Sequence, residues 1–249
     1  MRRAHNRQNG RVLLFAAIVV TAAVMASHAL GIFVKPAGLV DKLCVDYVII
    51  DLSKGKFRVS PEIASTSDGT ESLDSMVKRL KPYALVTGTY YDENNRPLGD
   101  IVSGGKVIRR GCQRQGIGFT SSGKIKFFER KGCSKIDWRG CVSGIACGPR
   151  LVRLGKKDIN VKRDGFKSAA ATNKAWRCAL GATKDGKLIL CAVSQSITLS
   201  TLADVMLELG ARDAINMDGG GMCAMYVDGK YKVEAVKPMS NILAVYKTK

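Results

Sequence analysis

The sequence predicts an α+β fold in which a mainly antiparallel sheet carries two or more short helices, preceded by one N-terminal transmembrane helix. Three observations lead there. Glycine-bearing turns recur between short β-branched or aromatic runs, which is hairpin chemistry and so implies antiparallel pairing. Only two stretches repeat apolar residues at helical spacing. Ahead of both, a tail holding Arg2, Arg3, Arg7 and Arg11 leads into an uncharged run from Val12 to Val34.

Taken in order, residues 1–11 form a basic tail, and residues 12–34 are long enough to cross about 30 Å of hydrocarbon as a helix, with the arginines on the cytoplasmic side. Val12 to Val24 followed by Ser27-His28-Ala29 also fits a cleavable signal peptide, although the apolar run continues through Leu30, Ile32 and Phe33, which favours an uncleaved anchor. Either way, Lys35 onward is expected outside the cytoplasm, membrane-anchored or secreted, with 40–249 as one domain. Within it, Val45 to Leu52 and Phe57 to Ser60 read as strands, joined into a hairpin by Ser53-Lys54-Gly55-Lys56, the second strand closed by Pro61. Leu73, Met76, Val77 and Leu80 recur at i, i+3, i+4 and i+7, so about 71–81 is an amphipathic helix that stops before Pro82. A strand from Tyr83 to Thr87 follows. Hairpins centre on Gly104-Gly105, Ser122-Gly123, Asp185-Gly186 and Asp228-Gly229. The second helix is capped by Thr198 or Ser200, buries Leu199, Leu202, Val205 or Met206, and Leu209, and ends at Gly210.

Composition removes several chemistries. His5 and His28 are the only histidines, so nothing beyond residue 28 supplies an imidazole for a Ser-His-Asp hydrolase, a Cys-His pair or a His-ligated zinc. The eight cysteines all follow the apolar run and include no Cys-x-x-Cys pair, which argues against zinc. In an oxidising compartment one or two disulfides are expected among Cys112, Cys133, Cys141 and Cys147, with Cys44, Cys178, Cys191 and Cys223 buried as small hydrophobes. Residues 35–249 hold thirty-six basic and twenty-one acidic side chains. That surplus attracts anionic glycans, sugar phosphates or lipid head groups. The lysines are scattered through turns, with no basic helix or zinc module, so nucleic acid is not an expected partner.

The densest chemistry lies in Asn216-Met217-Asp218-Gly219-Gly220-Gly221-Met222. A short apolar strand delivers a carboxylate into three glycines, whose backbone N–H groups can converge on an anion without side-chain obstruction. Asp218 then reads as an acid, a base or a partner for a cation, and Asn216 shares its strand face; a local cap in a glycine-rich turn is the plainer alternative. Asn216 and Asp218 are too few oxygen ligands to argue for calcium, and no other metal or cofactor is indicated.

The neighbours sharpen this. The helix Thr198 to Gly210 running into Asp213-Ala214-Ile215-Asn216-Met217-Asp218-Gly219-Gly220-Gly221 resembles the signature of the phosphodiester glycosidase family. Thr87-Gly88-Thr89-Tyr90-Tyr91-Asp92 is similar to the family's Asn-Gly-Gly-Phe-Phe segment, Gly148-Pro149-Arg150-Leu151-Val152 to its Gly-Gly-Pro-x-Leu turn, Trp176 to Gly181 to its Arg-Thr-Ala-Ile-Gly strand, and Ser240 to Val245 to its closing strand. The resemblance spans about 83–247. Thr87, Cys178 and Met222 depart from it, standing where the family usually has Asn, Thr and Ser. The resemblance implies an exported hydrolase acting on sugar-1-phosphodiesters, with Asp218 and Arg177 catalytic and Gly219, Gly220, Gly221, Thr87, Asn216 and Asn241 binding substrate. The chemistry agrees: phosphate needs a fixed cation, and positive charge growing on an anomeric carbon needs a nearby carboxylate. An ordinary ion pair between strands is the other reading of Arg177. Asp100 is a further candidate carboxylate, whereas Asp92 and Glu93 read as a solvated turn. The competing function is a non-catalytic envelope module that binds anionic glycan or lipid through its basic surface.

Overall fold

Strands that bury both faces organise the molecule. The structure is a computed structural model that describes residues 38–132, 134–167 and 173–248, with the folded unit beginning at Leu39. The chain opens with α1 (Leu39–Lys42), β1 (Val45–Ile50), β2 (Phe57–Ile63), α2 (Leu73–Leu80) and β3 (Ala84–Thr87). Then come β4 (Ile101–Ser103), β5 (Lys106–Arg109), β6 (Gln115–Phe119), β7 (Ile125–Glu129), β8 (Ser143–Cys147), β9 (Arg150–Arg153) and β10 (Lys156–Lys157). It continues through β11 (Ala175–Thr183), β12 (Leu188–Ile197), α3 (Leu199–Glu208), β13 (Ala211–Asn216), a 3-10 turn (Gly220–Met222), β14 (Met225–Val227), β15 (Lys230–Val233) and β16 (Asn241–Lys247). The expected segment 12–34 lies outside the described residues. Among those residues no helix is long and apolar enough to cross a membrane.

Three sheets result, ordered β1-β12-β11-β13-β9-β10, β15-β14-β3-β16-β2 and β5-β4-β8-β6-β7. Every strand pairing among the described residues is antiparallel. Their inner faces share one core: Leu188, Leu190 and Ala192 of β12 meet Val86 of β3, Leu243 of β16 and Ile117 of β6. The alternate residues of β12, Ile189, Cys191 and Val193, turn to the opposite face and pack under α3. Period-two side chains buried on both faces explain why these strands read as continuous apolar runs.

The helices follow their caps. Ser72 accepts the Ser75 N–H at 3.2 Å to start α2, and Lys81 ends it in the left-handed conformation. Thr198 accepts the Thr201 N–H at 3.1 Å to start α3, so Thr198 rather than Ser200 is its cap. Leu202, Val205 and Met206 are fully buried beneath it.

The hairpins at Gly104-Gly105, Ser122-Gly123, Asp185-Gly186 and Asp228-Gly229 all form. The one expected at 53–56 does not. Residues 53–56 do turn, with Asp51 accepting the Ser53 N–H at 3.0 Å, but β1 pairs with β12 and β2 with β16, so this turn carries the chain between sheets. A tight turn fixes a local reversal; a six-residue register with β12 and a seven-residue register with β16 decide the partners. Pro61 does not close β2 either. That strand is the edge of its sheet and runs on to Ile63, and an edge position tolerates the missing N–H. The disulfides expected in the 112–147 group are not seen among the described residues. Cys112, Cys141 and Cys147 are free thiols, the last two buried, and Cys133 lies outside the described residues.

Candidate active site

The three sheets bring one strand end each to a common point. β13 ends at Asn216 and passes through Met217 and Asp218 into the 3-10 turn; β3 ends at Thr87 and continues through Gly88 and Thr89 to Tyr90; β8 ends at Cys147, followed by Gly148 and a cis bond to Pro149. The junction is tied by backbone hydrogen bonds. The Asp218 N–H donates to Gly88 O at 3.0 Å, and the Met217 N–H donates to Cys178 O at 2.9 Å. On β11, Ala179 faces Asn216 of β13, so continuing that register sets Arg177 opposite Asp218.

Asp218 retains 6% exposure and Arg177 4%. Burial pushes the Asp218 carboxyl up to about 7, against the weaker opposing pull of the Gly219 N–H, which donates to its Oδ1 at 2.8 Å, and of the Arg177 charge acting through space. Burial also lowers the Arg177 pKa, and the nearby Asp218 charge opposes that shift. The Arg177 guanidinium donates through Nη2 to the Asn173 carbonyl. A carboxyl poised near neutrality beside a buried cation is the arrangement that acid–base catalysis at an anionic substrate calls for.

Around this pair stands a hydrogen-bonded chain. Asn216 Nδ2 donates to Tyr90 Oη at 2.6 Å, to Met217 O at 2.7 Å and to Gly148 O at 3.3 Å, and Tyr90 Oη donates to Gly148 O at 3.0 Å. Burial raises the Tyr90 phenol well above its usual value, with Cys147 and Asp218 adding to the effect, so it stays a neutral donor. The Cys147 thiol is pushed up to about 12 by burial and is inert as a nucleophile. Among the described residues, buried Asn216 Oδ1 has no hydrogen-bond partner, an acceptor left over by its surroundings. Tyr91, half-buried, also senses the Asp218 charge.

Gly219 is a glycine for lack of space: a Cβ there would sit 2.4 Å from the Trp176 carbonyl oxygen. Gly220 adopts φ +60° and opens the 3-10 turn, which closes when the Met222 and Cys223 N–H groups donate to Gly219 O and Gly220 O. Gly219, Gly220 and Gly221 are all partly exposed and form the outer rim of the site.

The structure thus gathers Asp218, Arg177, Asn216 and the three glycines. It gives Thr87 and Asn241, expected as substrate-binding residues, a supporting place. Both are 1% exposed. Thr87 Oγ1 accepts the Ala224 N–H at 2.9 Å and donates to Met222 O at 2.5 Å, fixing the far end of the glycine turn. Asn241 accepts the Thr89 N–H at 2.7 Å and donates to Thr89 O at 2.9 Å, tying this backbone to β16. Asp100 is committed elsewhere, to Trp138 Nε1, Arg110 Nη1 and the Gly111 N–H, and Asp92 caps its own turn through the Asn94 and Arg96 N–H groups. Tyr90 is what sequence reasoning missed. It lies within the Thr87–Asp92 segment, but an aromatic beside a strand reads as core unless its hydroxyl is known to bond Asn216. Two surface depressions, about 690 Å³ beside Lys157 and Thr198 and about 330 Å³ beside Tyr83 and Tyr246, do not include these residues.

The phosphodiester glycosidase family model matches residues 81–246. The chain belongs to the phosphodiester glycosidase family. Among solved structures it is similar to a protein from Synechocystis, with TM-score 0.73 and 16% identity over 82% of this chain and 59% of that one. It thus spans less than two thirds of that protein's length. It is also similar to the zebrafish N-acetylglucosamine-1-phosphodiester alpha-N-acetylglucosaminidase catalytic domain, auto-inhibited by its pro-peptide, with TM-score 0.67 and 22% identity over 86% of each chain. A protein from Burkholderia pseudomallei described as exported gives TM-score 0.61 and 12% identity over 81% of this chain and 73% of that one. No curated protein is a match. At these identities the likeness establishes the fold, and membership of the phosphodiester glycosidase family supports a hydrolase of glycosidase type. The family match takes in Arg177, Asn216, Asp218 and Asn241.

Proposed function

We propose that this phosphodiester glycosidase hydrolyses the bond between an anomeric carbon and a phosphate in an anionic glycan outside the cytoplasm. The observation that carries the reading is the convergence of Arg177 and Asp218 at one three-sheet junction, with the Asp218 carboxyl at about 7. In this reading Arg177 holds the phosphate oxygens through its fixed planar cation. Asp218 carries a proton at or below neutral pH and serves the sugar–phosphate bond as acid, then as base toward water. Asn216 Oδ1 accepts from a sugar hydroxyl or amide, and the rim glycines let the substrate approach the backbone closely. The extracytoplasmic setting rests on the arginine-rich tail ahead of the apolar 12–34 run.

The test is direct. The folded chain is incubated with α- and β-linked sugar-1-phosphodiesters across a pH series, with and without divalent cations, and released sugar is measured. Release that declines as pH rises through about 7, and that Asp218→Ala abolishes, is the expected result. No release under any condition from a folded sample removes the reading. Binding to anionic glycan that survives Asp218→Ala and Arg177→Ala yet weakens steeply with salt would instead mark a non-catalytic envelope module acting through scattered surface lysines.

A further inference from the structure

Beneath the site lies a pair of sulfur atoms that the hydrolysis does not use. Cys178 follows Arg177 on β11, and Cys223 follows the glycine turn; both are fully buried. Their Sγ atoms stand 3.2 Å apart, against about 2.0 Å in a disulfide, so closure asks each sulfur to move only about 0.6 Å. As thiols they make only long contacts: Cys178 Sγ to Thr87 Oγ1 at 3.7 Å and to Ala224 O at 3.8 Å, and Cys223 Sγ to Arg177 O at 3.5 Å. Cys191 is near in sequence space but belongs to the opposite face of its sheet, packed under α3, whereas Cys178 and Cys223 share the inner core. Cys147 is also in that core, at the end of a different sheet. The geometry therefore selects one partner for each sulfur.

We propose that Cys178 and Cys223 form a disulfide, a cross-link site that joins the strand carrying Arg177 to the turn carrying Asp218, Gly219, Gly220 and Gly221. The oxidant is a small disulfide such as oxidised glutathione. One cysteine thiolate attacks it, forming a mixed disulfide and releasing one glutathione thiolate. The second cysteine thiolate then attacks the protein sulfur of that mixed disulfide and expels the other glutathione. Two S–H bonds are lost, one S–S bond forms, and the oxidised glutathione is reduced to two thiols. The bond closes a loop across a sequence separation of 45 that contains the whole of α3, and so restricts the unfolded chain strongly. It stands independently of the reaction proposed above. It also gives Cys178, one of the departures from the family pattern, a physical use: Cys178 meets Cys223 where the family's Thr has no sulfur to offer.

Burial would slow an oxidant reaching the folded pair, so the experiment starts from the unfolded full chain, refolded in a buffer of reduced and oxidised glutathione. Free thiols are then alkylated and the protein is digested with trypsin without reductant. The tryptic peptides Cys178–Lys184 and Asp213–Lys230 each contain a single cysteine. The expected product is one species with their combined mass less two hydrogens. Thermal unfolding of this oxidised chain is expected roughly 5–10 °C above the reduced chain, a rise absent in both Cys178→Ala and Cys223→Ala. Recovery of both peptides in alkylated form, or of either one joined to a different cysteine, overturns the proposal.

Discussion

Replacing Asp218 by Asn tests whether this carboxyl is held at a cost to the fold. The carboxyl is 6% exposed and pushed up to about 7 from an ordinary 3.8, burial being the main cause. Three pH units at about 1.4 kcal/mol each amount to about 4 kcal/mol. The folded state binds this proton more tightly than the unfolded chain, so its contribution is fully present below about pH 4 and is lost as pH rises through about 7. Asp218→Asn preserves the side-chain volume and an Oδ1 to accept the Gly219 N–H, but it never ionises. Urea unfolding curves of parent and variant are therefore expected to coincide near about pH 4, and at about pH 8 the variant is expected to gain up to about 4 kcal/mol with an unchanged urea dependence. On sugar-1-phosphodiesters the same variant is expected to lose about a thousandfold or more in kcat/KM. A variant no more stable than the parent at about pH 8 would show that the ionised carboxyl is comfortable where it sits, and the acid–base role would lose its physical basis.

Arg177→Lys keeps the charge but not the two-pronged grip on phosphate, and kcat/KM for a phosphodiester is expected to fall about 10- to 100-fold, read by steady-state kinetics. Asn241→Ala leaves the buried N–H and C=O of Thr89 without partners and is expected to cost about 2–4 kcal/mol in urea unfolding; Gly88→Ala is expected to destabilise too, since its Cβ would lie 1.9 Å from Asn241 Oδ1. Glu71, 3% exposed and held down to about 2 mainly by its hydrogen bond from Arg79, contributes about 3 kcal/mol above its unfolded value near 4.5, lost as pH falls through about 2. Glu71→Gln is expected to remove that part of the acid dependence, seen as a flatter plot of unfolding midpoint against pH.

Much of the fold was legible because its signals are local. Four turns with glycine at the bend gave four true hairpins, and apolar spacing located both longer helices, helped by a stop before Pro82 for the first and a threonine cap for the second. What stayed hidden was partner choice. Ser53-Lys54-Gly55-Lys56 looks like the other turns, yet the strands beside it separate, since their partners β12 and β16 lie more than a hundred residues downstream. Assembly into three sheets rather than one follows from the same long-range choices. At the site, residue chemistry and family likeness singled out Asp218 and Arg177, which the structure sets at one junction. The supporting roles of Thr87 and Asn241 were not legible, because a hydrogen bond from Asn241 to backbone far upstream leaves no trace in spacing. Tyr90 was masked for the opposite reason: its ring packs edge-on against Phe166, as a core residue would, and only its hydroxyl reaches Asn216.

Asn241 grips Thr89 across a separation of 152 residues, and Asp218 leans on Gly88 beside it. The site junction therefore cannot take shape until β16 is paired beside β3, however early the Gly88 segment folds. A nascent or truncated chain that stops short of Asn241 would have every reactive group in hand and nowhere fixed to put them. The junction is thus set by the long-range pairing of β16 with β3 as much as by the glycine turn itself.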